Sequence, residues 1–246
     1  MARFFLPKKR LHDNRGTIDG QELDHLRRVL RLKPGDRITV FDDTGWEHEA
    51  VIHSLATAQG EIKIVRSYPA ERESPLHLTL AVGLTKGEKI DFVVEKATEL
   101  GVQTIIPFAS AYAVPKLDER KIVARTERWQ KIALSATKQC GRTRVPEVLP
   151  LCMFGDFVMG SRPETVQLFF WEKEARQSLQ QAHERHGDAQ SVLLAIGPEG
   201  GFSVEEAELA RSHGFELVQL GRRILRAETA ALAALTLVQF LWGDLR

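Results

Sequence analysis

Apolar segments typical of strands and of helices alternate through the last two-thirds of the chain. Short continuous apolar runs predict strands, and apolar residues three or four apart predict amphipathic helices. The predicted strands span 76–82, 102–108, 166–171, 191–196 and 215–220, and the predicted helices span 89–100, 118–139, 172–186, 204–213 and 228–242. Strands that alternate with helices of this length indicate an α/β fold with a mostly parallel sheet covered on both faces.

The first seventy residues have shorter elements. Apolar residues at Leu23, Leu26, Val29 and Leu30 predict a short amphipathic helix that ends before the turn signal at 33–36. Alternation predicts strands at 37–41, 46–55 and 61–65, with turns at 42–45 and 59–60. Residues 67–75 are charged, contain two prolines and lack periodicity, so they form the candidate linker. We therefore expect a small β-barrel-type domain before the α/β domain.

Composition narrows the class of protein. With 246 residues, 43% of them apolar, the chain has enough apolar side chains for a folded core. The uncharged, mostly apolar stretch from Thr229 to Trp242 has 14 residues, whereas a membrane helix needs about 20. The N-terminus does not resemble a secretory signal, and two cysteines without a CxxC predict neither disulfides nor zinc. We expect a cytoplasmic protein without a membrane segment or a metal.

Charge is concentrated near the N-terminus. The net charge is +1, yet residues 3–37 contain ten basic side chains against five acidic ones. Such clusters supply the phosphate contacts that dominate affinity for nucleic acids, although a solvated basic face without a ligand explains the charge equally well. The candidate RNA-binding residues here are Arg3, Lys8, Lys9, Arg10, Arg27, Arg28 and Arg31.

A glycine-rich loop, Ile196-Gly-Pro-Glu-Gly-Gly-Phe-Ser203, directly follows an apolar strand. Its glycines allow a ligand to approach the backbone closely, and Ser203 with Glu206 predicts a capping box at the next helix. Ligands of parallel sheets bind beyond the carboxyl ends of the strands, where this loop falls. The sequence matches neither GxGxxG nor GxxxxGK[ST], which disfavours a dinucleotide or nucleoside triphosphate. A tight turn without a ligand is the alternative.

Two arginine-rich loops are further candidates. Residues 220–230, LGRRILRAETA, also follow a strand, and their apolar side chains and guanidinium groups suit the wall of a pocket for a flat, polar ligand. Residues 139–146, QCGRTRVP, end the long helix and contain Arg142 and Arg144. Each loop could equally be a solvated basic surface.

Together, IGPEGGFS, LGRRILRAETA, the upstream QCGRTRVP and the N-terminal FFLP and HLRRVLRLKPGD resemble the bacterial 16S rRNA (uracil1498-N3)-methyltransferase family of the SPOUT superfamily. The resemblance extends over essentially the whole chain. One departure is Lys138, where the family motif suggests an acidic residue.

The resemblance implies a PUA-like RNA-binding barrel over residues 1–72 and an α/β methyltransferase domain with a C-terminal trefoil knot over 73–246. It implies a homodimer that binds S-adenosylmethionine and acts in rRNA processing during ribosome biogenesis, with 16S rRNA of the small subunit as partner. The cofactor-binding residues would be Phe170, Gly197, Glu199, Gly200, Leu220, Gly221, Ile224, Leu225, Arg226 and Thr229. Arg144 would join the RNA-binding residues.

Methylation of uridine N3 requires loss of its proton, through a general base or through cations that stabilise the anion. Glu199 and Glu228 are candidate bases. Arg226 and Arg142 are the preferred electrostatic groups near the base, so the catalytic candidates are Arg226, Arg142 and Glu199. The alternatives are a SPOUT methyltransferase acting at another RNA site, such as a tRNA ribose, and a non-catalytic RNA-binding factor of ribosome assembly.

Overall fold

The computed structural model describes residues 2–85, 87–111, 119–160, 165–173 and 177–245. The chain divides into two compact units. Unit 1 comprises Met1–Glu73 together with Thr137–Val145, and unit 2 comprises Ser74–Ala136 and Pro146–Arg246. No helix in the described ranges has both the length and the apolar character needed to cross a membrane.

Unit 1 contains a six-stranded sheet. Its elements are β1 (Arg3–Phe5), β2 (Leu11–His12), β3 (Arg15–Asp19), α1 (Gly20–Asp24), β4 (Arg37–Phe41), β5 (Trp46–Leu55) and β6 (Gln59–Pro69). The strand order is β1-β4-β5-β6-β3-β2, with β1 parallel to β4 and the other pairs antiparallel. Alternate side chains of these strands form one core that includes Phe4, Ile18, Ile38, Ile52 and Ile62. The predicted linker is shorter than expected, because β6 continues to Pro69.

The predicted helix before the turn at 33–36 differs from expectation. Five residues of α1 lead into a π-helical turn, His25–Val29, which shifts the apolar face. Leu23 and Leu26 are buried as predicted, but Val29 is 67% exposed and Leu30 is 39% exposed.

Residues Thr137–Val145 belong to unit 1, whereas the sequence suggested that everything after residue 72 forms one domain. Hydrogen bonds accepted by Glu73 join the two segments of unit 1. Its Oε1 accepts the N–H groups of Thr143 (2.8 Å) and Arg144 (3.1 Å), and its Oε2 accepts Arg142 Nε at 2.9 Å.

In the described residues of unit 2, eight strands form one sheet, with helices in the connections. The first elements are β7 (His77–Gly83), α2 (Lys89–Glu99), β8 (Thr104–Ala109), α3 (Glu119–Cys140, which belongs to unit 1 from Thr137 on), β9 (Glu147–Val148), β10 (Cys152–Met153) and α4 (Phe154–Met159). The remainder are β11 (Val166–Phe170), β12 (Gln177–Ser178), α5 (Leu179–His186), β13 (Ser191–Ile196), α6 (Val204–Ser212), β14 (Glu216–Gln219) and α7 (Ala227–Trp242). The fold of this unit is therefore α/β, as predicted.

The main strand order of this sheet is β10-β8-β7-β13-β11-β14-β12, β9 pairs with β8, and the strands are parallel. Residues 192–196 of β13 are buried because helices cover both faces of the sheet. An aromatic cluster of Phe108, Phe154, Phe169 and Phe202 fills one side of the core. Since all strands point the same way, β11, β13 and β14 end at a common edge.

The helix predicted over 172–186 is wrong in its first half. Glu172 and Lys173 form a turn, residues 174–176 lie outside the described ranges, and β12 precedes the helix. Helix α5 begins only at Leu179, where Ser178 and Gln181 form a capping box. The predicted start of α3, Asp118, also lies outside the described residues.

Candidate functional site

A cavity of about 540 Å³ lies in unit 2 at the edge where β11 and β13 end. Its volume is within the range of small-molecule sites. Three segments contribute most of its wall: the end of β11, the glycine-rich loop after β13, and the residues that lead into α7. The lining residues are Lys89, Phe170, Glu172, Ile196, Gly197, Pro198, Glu199, Gly201, Phe202, Ile224, Leu225, Arg226, Ala227 and Ala230.

The glycine-rich loop is held at both ends. Gly201 has a φ of +71°, which favours glycine, and its N–H donates to the Pro198 carbonyl at 2.9 Å. At the far end, the predicted capping box forms between Ser203 and Glu206. The hydroxyl of Ser203 and backbone hydrogen bonding also lower the pKa of the exposed Glu205 carboxyl, the backbone contribution being the larger. Interactions within the loop and at its ends therefore fix its conformation.

Close packing fixes the position of the loop. The last residue of β7, Gly83, approaches the loop so closely that a Cβ there would lie 2.6 Å from both N and Cδ of Pro198. On the other side, the buried Phe202 ring lies 4.0 Å from the Phe169 ring, centroid to centroid. The need for glycine at position 83 could not be recognised in the sequence, because the contact spans more than a hundred residues.

Charged groups form the polar wall of the cavity. Lys89 Nζ lies 2.6 Å from Glu199 Oε1 and 3.9 Å from Glu228 Oε2. The Oε2 atom of Glu228 is buried and makes no hydrogen bond with the described residues. Arg226 is the N-cap residue of α7 and lines the same cavity. The cavity thus combines an apolar wall with carboxylates and two cationic side chains.

Most of the predicted cofactor residues come together here. Phe170, Gly197, Glu199, Ile224, Leu225 and Arg226 line the cavity. A neighbouring cavity of about 70 Å³ is lined in part by Leu220 and Gly221, with Phe170, Ile224 and Leu225 shared between the two. Gly200 and Thr229, both exposed, are not among the lining residues of either cavity.

Several lining residues were missed from the sequence. Lys89 and Glu172 bring charge to the wall, while Phe202, Ala227 and Ala230 add apolar surface. Candidate loops were selected because they directly follow a strand, and Glu172 fulfils the same criterion because it follows β11. Lys89 is the first residue of α2, the helix after β7, so the same rule extended to the start of the next helix could have found it.

Arg142, a predicted catalytic residue, belongs to unit 1 and is engaged there. Its side chain is 5% exposed, and Nη2 lies 2.7 Å from Glu73 Oε2. The structure does not bring Arg142 together with Arg226 within one unit. Lys138, the departure from the family motif, also has a partner in unit 1, since its Nζ lies 2.6 Å from Glu22 Oε1.

The predicted RNA-binding residues separate into two groups. Most are exposed in unit 1: Lys8, Lys9, Arg10, Arg27, Arg28, Arg31 and Arg144. Arg3 differs, because its side chain is 15% exposed, pairs with Glu47, and donates to the carbonyls of Gly141 (3.1 Å) and Arg142 (2.9 Å). Arg3 therefore binds protein groups, and its assignment to RNA is not supported by its position.

The cavity suits the cofactor that the sequence implied. S-adenosylmethionine has a flat adenine, for which Phe170, Ile196 and Leu225 offer apolar surface, and two cationic groups, for which Glu172 and Glu199 offer carboxylates. By contrast, the described residues contain no cluster of three or more His, Cys, Asp or Glu side chains that could hold a metal ion.

Comparison with known proteins gives consistent matches to one family. Residues 72–239 match the RNA methyltransferase domain family, and residues 18–63 match the RNA methyltransferase PUA domain family. The chain is 32% identical to ribosomal RNA small subunit methyltransferase E of Bacillus subtilis, over 91% of this chain and 89% of the relative. It is 34% identical to the protein of the same name from Synechocystis, over 92% and 73% of the respective lengths.

Solved structures agree with these matches. The crystal structure of a ribosomal RNA small subunit methyltransferase E from Neisseria gonorrhoeae bound to S-adenosylmethionine superimposes with a TM-score of 0.89, at 34% identity and over 100% of both chains. A methyltransferase from Legionella pneumophila in complex with the same cofactor gives a TM-score of 0.90, at 32% identity and over 98% of both chains.

Proposed function

Because the chain belongs to the ribosomal RNA small subunit methyltransferase E family, we propose that it methylates N3 of one uracil, U1498, in the 16S rRNA of the small ribosomal subunit, with S-adenosylmethionine as methyl donor. One observation carries the proposal: the family-specific GPEGG and LGRRILRAETA loops together line a cavity of suitable size and chemistry. Two structural relatives described with the bound cofactor support the same conclusion.

Three loops hold the cofactor in this proposal. Apolar contact comes from Phe170, Ile224 and Leu225, backbone groups come from Gly197 and from Leu220 and Gly221, and Glu199 and Arg226 supply charge. When bound, S-adenosylmethionine supplies an electrophilic methyl group on a sulfonium, which becomes a neutral thioether when the group leaves. We omit Gly200 and Thr229 from direct contact because neither lines the cavities.

The residues of this chain must help N3 of uracil to lose its proton. Arg226, at the start of α7, is placed to stabilise negative charge on the uracil oxygens. Glu199 is the candidate acceptor of the proton, and its Oε1 lies 2.6 Å from Lys89 Nζ. We assign Arg142 a structural role, because its guanidinium is buried against Glu73. The reaction needs positioning and electrostatics rather than a metal.

Unit 1 supplies affinity for RNA through phosphate contacts from its exposed basic residues, among them Lys8, Lys9 and Arg31. Because N3 lies on the Watson–Crick edge, the target base must be unpaired or flipped out of a helix to react. The basic surface sets general affinity, while the cavity in unit 2 selects the base.

We also infer a SPOUT-type trefoil knot, a homodimer and a cytoplasmic location. The adjacency of β13, β11 and β14, with all three cofactor loops after them, supports the knot. Helix α7 supports the dimer, because two of its large apolar side chains are exposed: Leu237 is 43% exposed and Phe240 is 55% exposed. Exposed apolar surface of this kind is typical of a protein–protein interface. Size-exclusion chromatography with light scattering tests the dimer directly.

The proposal is tested by transfer of labelled methyl groups to three RNA pools: small ribosomal subunits that lack the modification, naked 16S rRNA, and bulk tRNA. We expect label in 16S rRNA and none in tRNA. Label in tRNA alone would favour a methyltransferase with another RNA substrate. Absence of both label and cofactor binding would favour a non-catalytic factor of ribosome assembly.

A further inference from the structure

Lys89 occupies a position that the stability of its own helix does not explain. It is the first residue of α2, where the free N–H groups favour negative charge and disfavour a cation. Its side chain is 35% exposed and lines the 540 Å³ cavity. A lysine that lies at an unfavourable helix terminus and lines a ligand cavity suggests a role in that cavity.

Two carboxylates lie near the ammonium at the cavity wall. Glu199 Oε1 lies 2.6 Å from Lys89 Nζ, and Glu228 Oε2 lies 3.9 Å from it. Glu199, in the glycine-rich loop, accepts a hydrogen bond from the ammonium, whereas Glu228, in the first turn of α7, lies within ion-pair distance of it. Among the described residues that line this cavity, Lys89 and Arg226 are the cationic ones.

We propose that Lys89 is a second catalytic cation, whose ammonium stabilises the negative charge that uracil acquires when N3 loses its proton. The inference rests on the proposed function. The N3 proton passes to Glu199, the candidate acceptor, and the negative charge left on uracil spreads over N3, O2 and O4. The N3 lone pair then forms the bond to the methyl carbon while the carbon–sulfur bond breaks, its electron pair remaining on sulfur. A preorganised ammonium in a partly closed cavity stabilises such an anion more than water does.

The competing explanation is a structural latch, in which the ion pair only fixes the glycine-rich loop. The two explanations predict different behaviour of the two partners. A latch fails equally when either member is neutralised, so K89M and E199Q would weaken cofactor binding alike. A catalytic ammonium is needed in turnover, so K89M would slow the chemical step without weakening cofactor binding. E199Q, by contrast, would lose a cofactor contact as well as the candidate proton acceptor.

The test compares wild type, K89M, K89R and E199Q, with K131M as a control at an exposed lysine of α3. Calorimetry measures the Kd for S-adenosylmethionine, and single-turnover methylation of 16S rRNA measures the chemical step across pH. For K89M we expect a rate loss of about 100-fold, with the cofactor Kd within about twofold of wild type. K89R should recover part of the rate, and K131M should match wild type.

The pH dependence separates charge stabilisation from structure. Without the ammonium, N3 becomes harder to ionise, so the rising limb of the pH–rate profile should move to higher pH in K89M. RNA containing 5-fluorouridine, whose N3 is more acidic, should restore much of the lost rate. An unmoved profile, with K89M and E199Q weakening cofactor binding equally, would overturn the proposal. If wild type itself methylates no uridine, the proposed function is wrong. If wild type is active and K89M is equally active, the proposed function stands and only the role of Lys89 is wrong.

Discussion

Alanine at position 83 tests how tightly the fold sets the position of the glycine-rich loop. The added Cβ would lie 2.6 Å from both N and Cδ of Pro198, and 3.1 Å from the carbonyl carbon of Gly197. Ordinary contact begins at 3.4 Å, so the shortfall is about 0.8 Å, and two of the three nearest atoms are backbone. Side-chain rotation cannot relieve that clash. The loop must move away from β7.

Overpacking of this kind costs about 1–3 kcal/mol. In the free protein, the loop can relax to reduce the cost, but binding of S-adenosylmethionine needs the original position. We therefore expect the cost to fall on binding and to raise the cofactor Kd by about 5- to 100-fold, since each 1.4 kcal/mol is tenfold. The melting temperature should fall by no more than a few degrees, because part of the strain is relieved.

Calorimetry of cofactor binding and thermal unfolding measure the two effects in the same preparation. Gly155→Ala is the matched control: its Cβ would meet only Met159 Cε, at 3.9 Å, and it lies within the helix α4. Alanine there should leave cofactor binding unchanged and stabilise the helix by up to about 1 kcal/mol. Binding of the cofactor by Gly83→Ala as tightly as by wild type would refute the packing argument.

Three further predictions concern unit 1. Glu73→Ala leaves the guanidinium of Arg142 buried without its carboxylate, and we expect a loss of about 3 kcal/mol in the free energy of unfolding measured with urea. Burial raises the pKa of Asp42, but hydrogen bonds from Thr44 and His48 outweigh it and hold that pKa below its usual value. This stabilisation is present above the unfolded-state pKa and is lost as the pH falls through the folded value, so Asp42→Asn should flatten the loss of stability below about pH 4. Lys8→Ala should weaken RNA binding and reduce the slope of log K against log salt by about one.

Each of these has a control and a contradicting result. Glu71→Ala removes an exposed carboxylate and should change stability by no more than about 0.5 kcal/mol. Equal effects of the substitutions at Glu71 and Glu73 would contradict the assigned ion pair. If wild type and Asp42→Asn lose stability equally as the pH falls below about 4, Asp42 does not contribute to the acid dependence of stability. The control Lys131→Ala should leave the slope of log K against log salt unchanged. If Lys8→Ala also leaves it unchanged, Lys8 does not contact RNA phosphate.

Elements with a long and regular pattern could be predicted from the sequence. The limits of β4, β5 and β13 agree with expectation, and α7 differs by one residue at its start. In each of these elements, the apolar positions of the sequence pattern are the ones that the fold buries. The two-residue strands β9, β10 and β12 could not be predicted, because their pairing partners are distant and their own sequences carry no period.

The sequence indicated which loops form the candidate site, but it did not indicate which side chains pair with one another. Loop position after a strand identified the segments of Gly197 and Leu225, since parallel strands end at one edge, whereas Phe170 was named only through the family resemblance. Charge alone could not show that Arg3 and Arg142 are used internally, because their acidic partners lie 44 and 69 residues away. The same limit hid Lys89, whose contact with Glu199 spans 110 residues.

The chemical identity and position of the transferred methyl group distinguish the proposed reaction from its alternatives. Small ribosomal subunits that lack the modification are treated with enzyme and S-adenosylmethionine, and the 16S rRNA is examined by primer extension and by mass spectrometry of its nucleosides. We expect 3-methyluridine and a primer-extension stop at one uridine, U1498, because N3 methylation blocks base pairing. A ribose-methylated nucleoside, or a methyl group at another position, would contradict the proposed reaction.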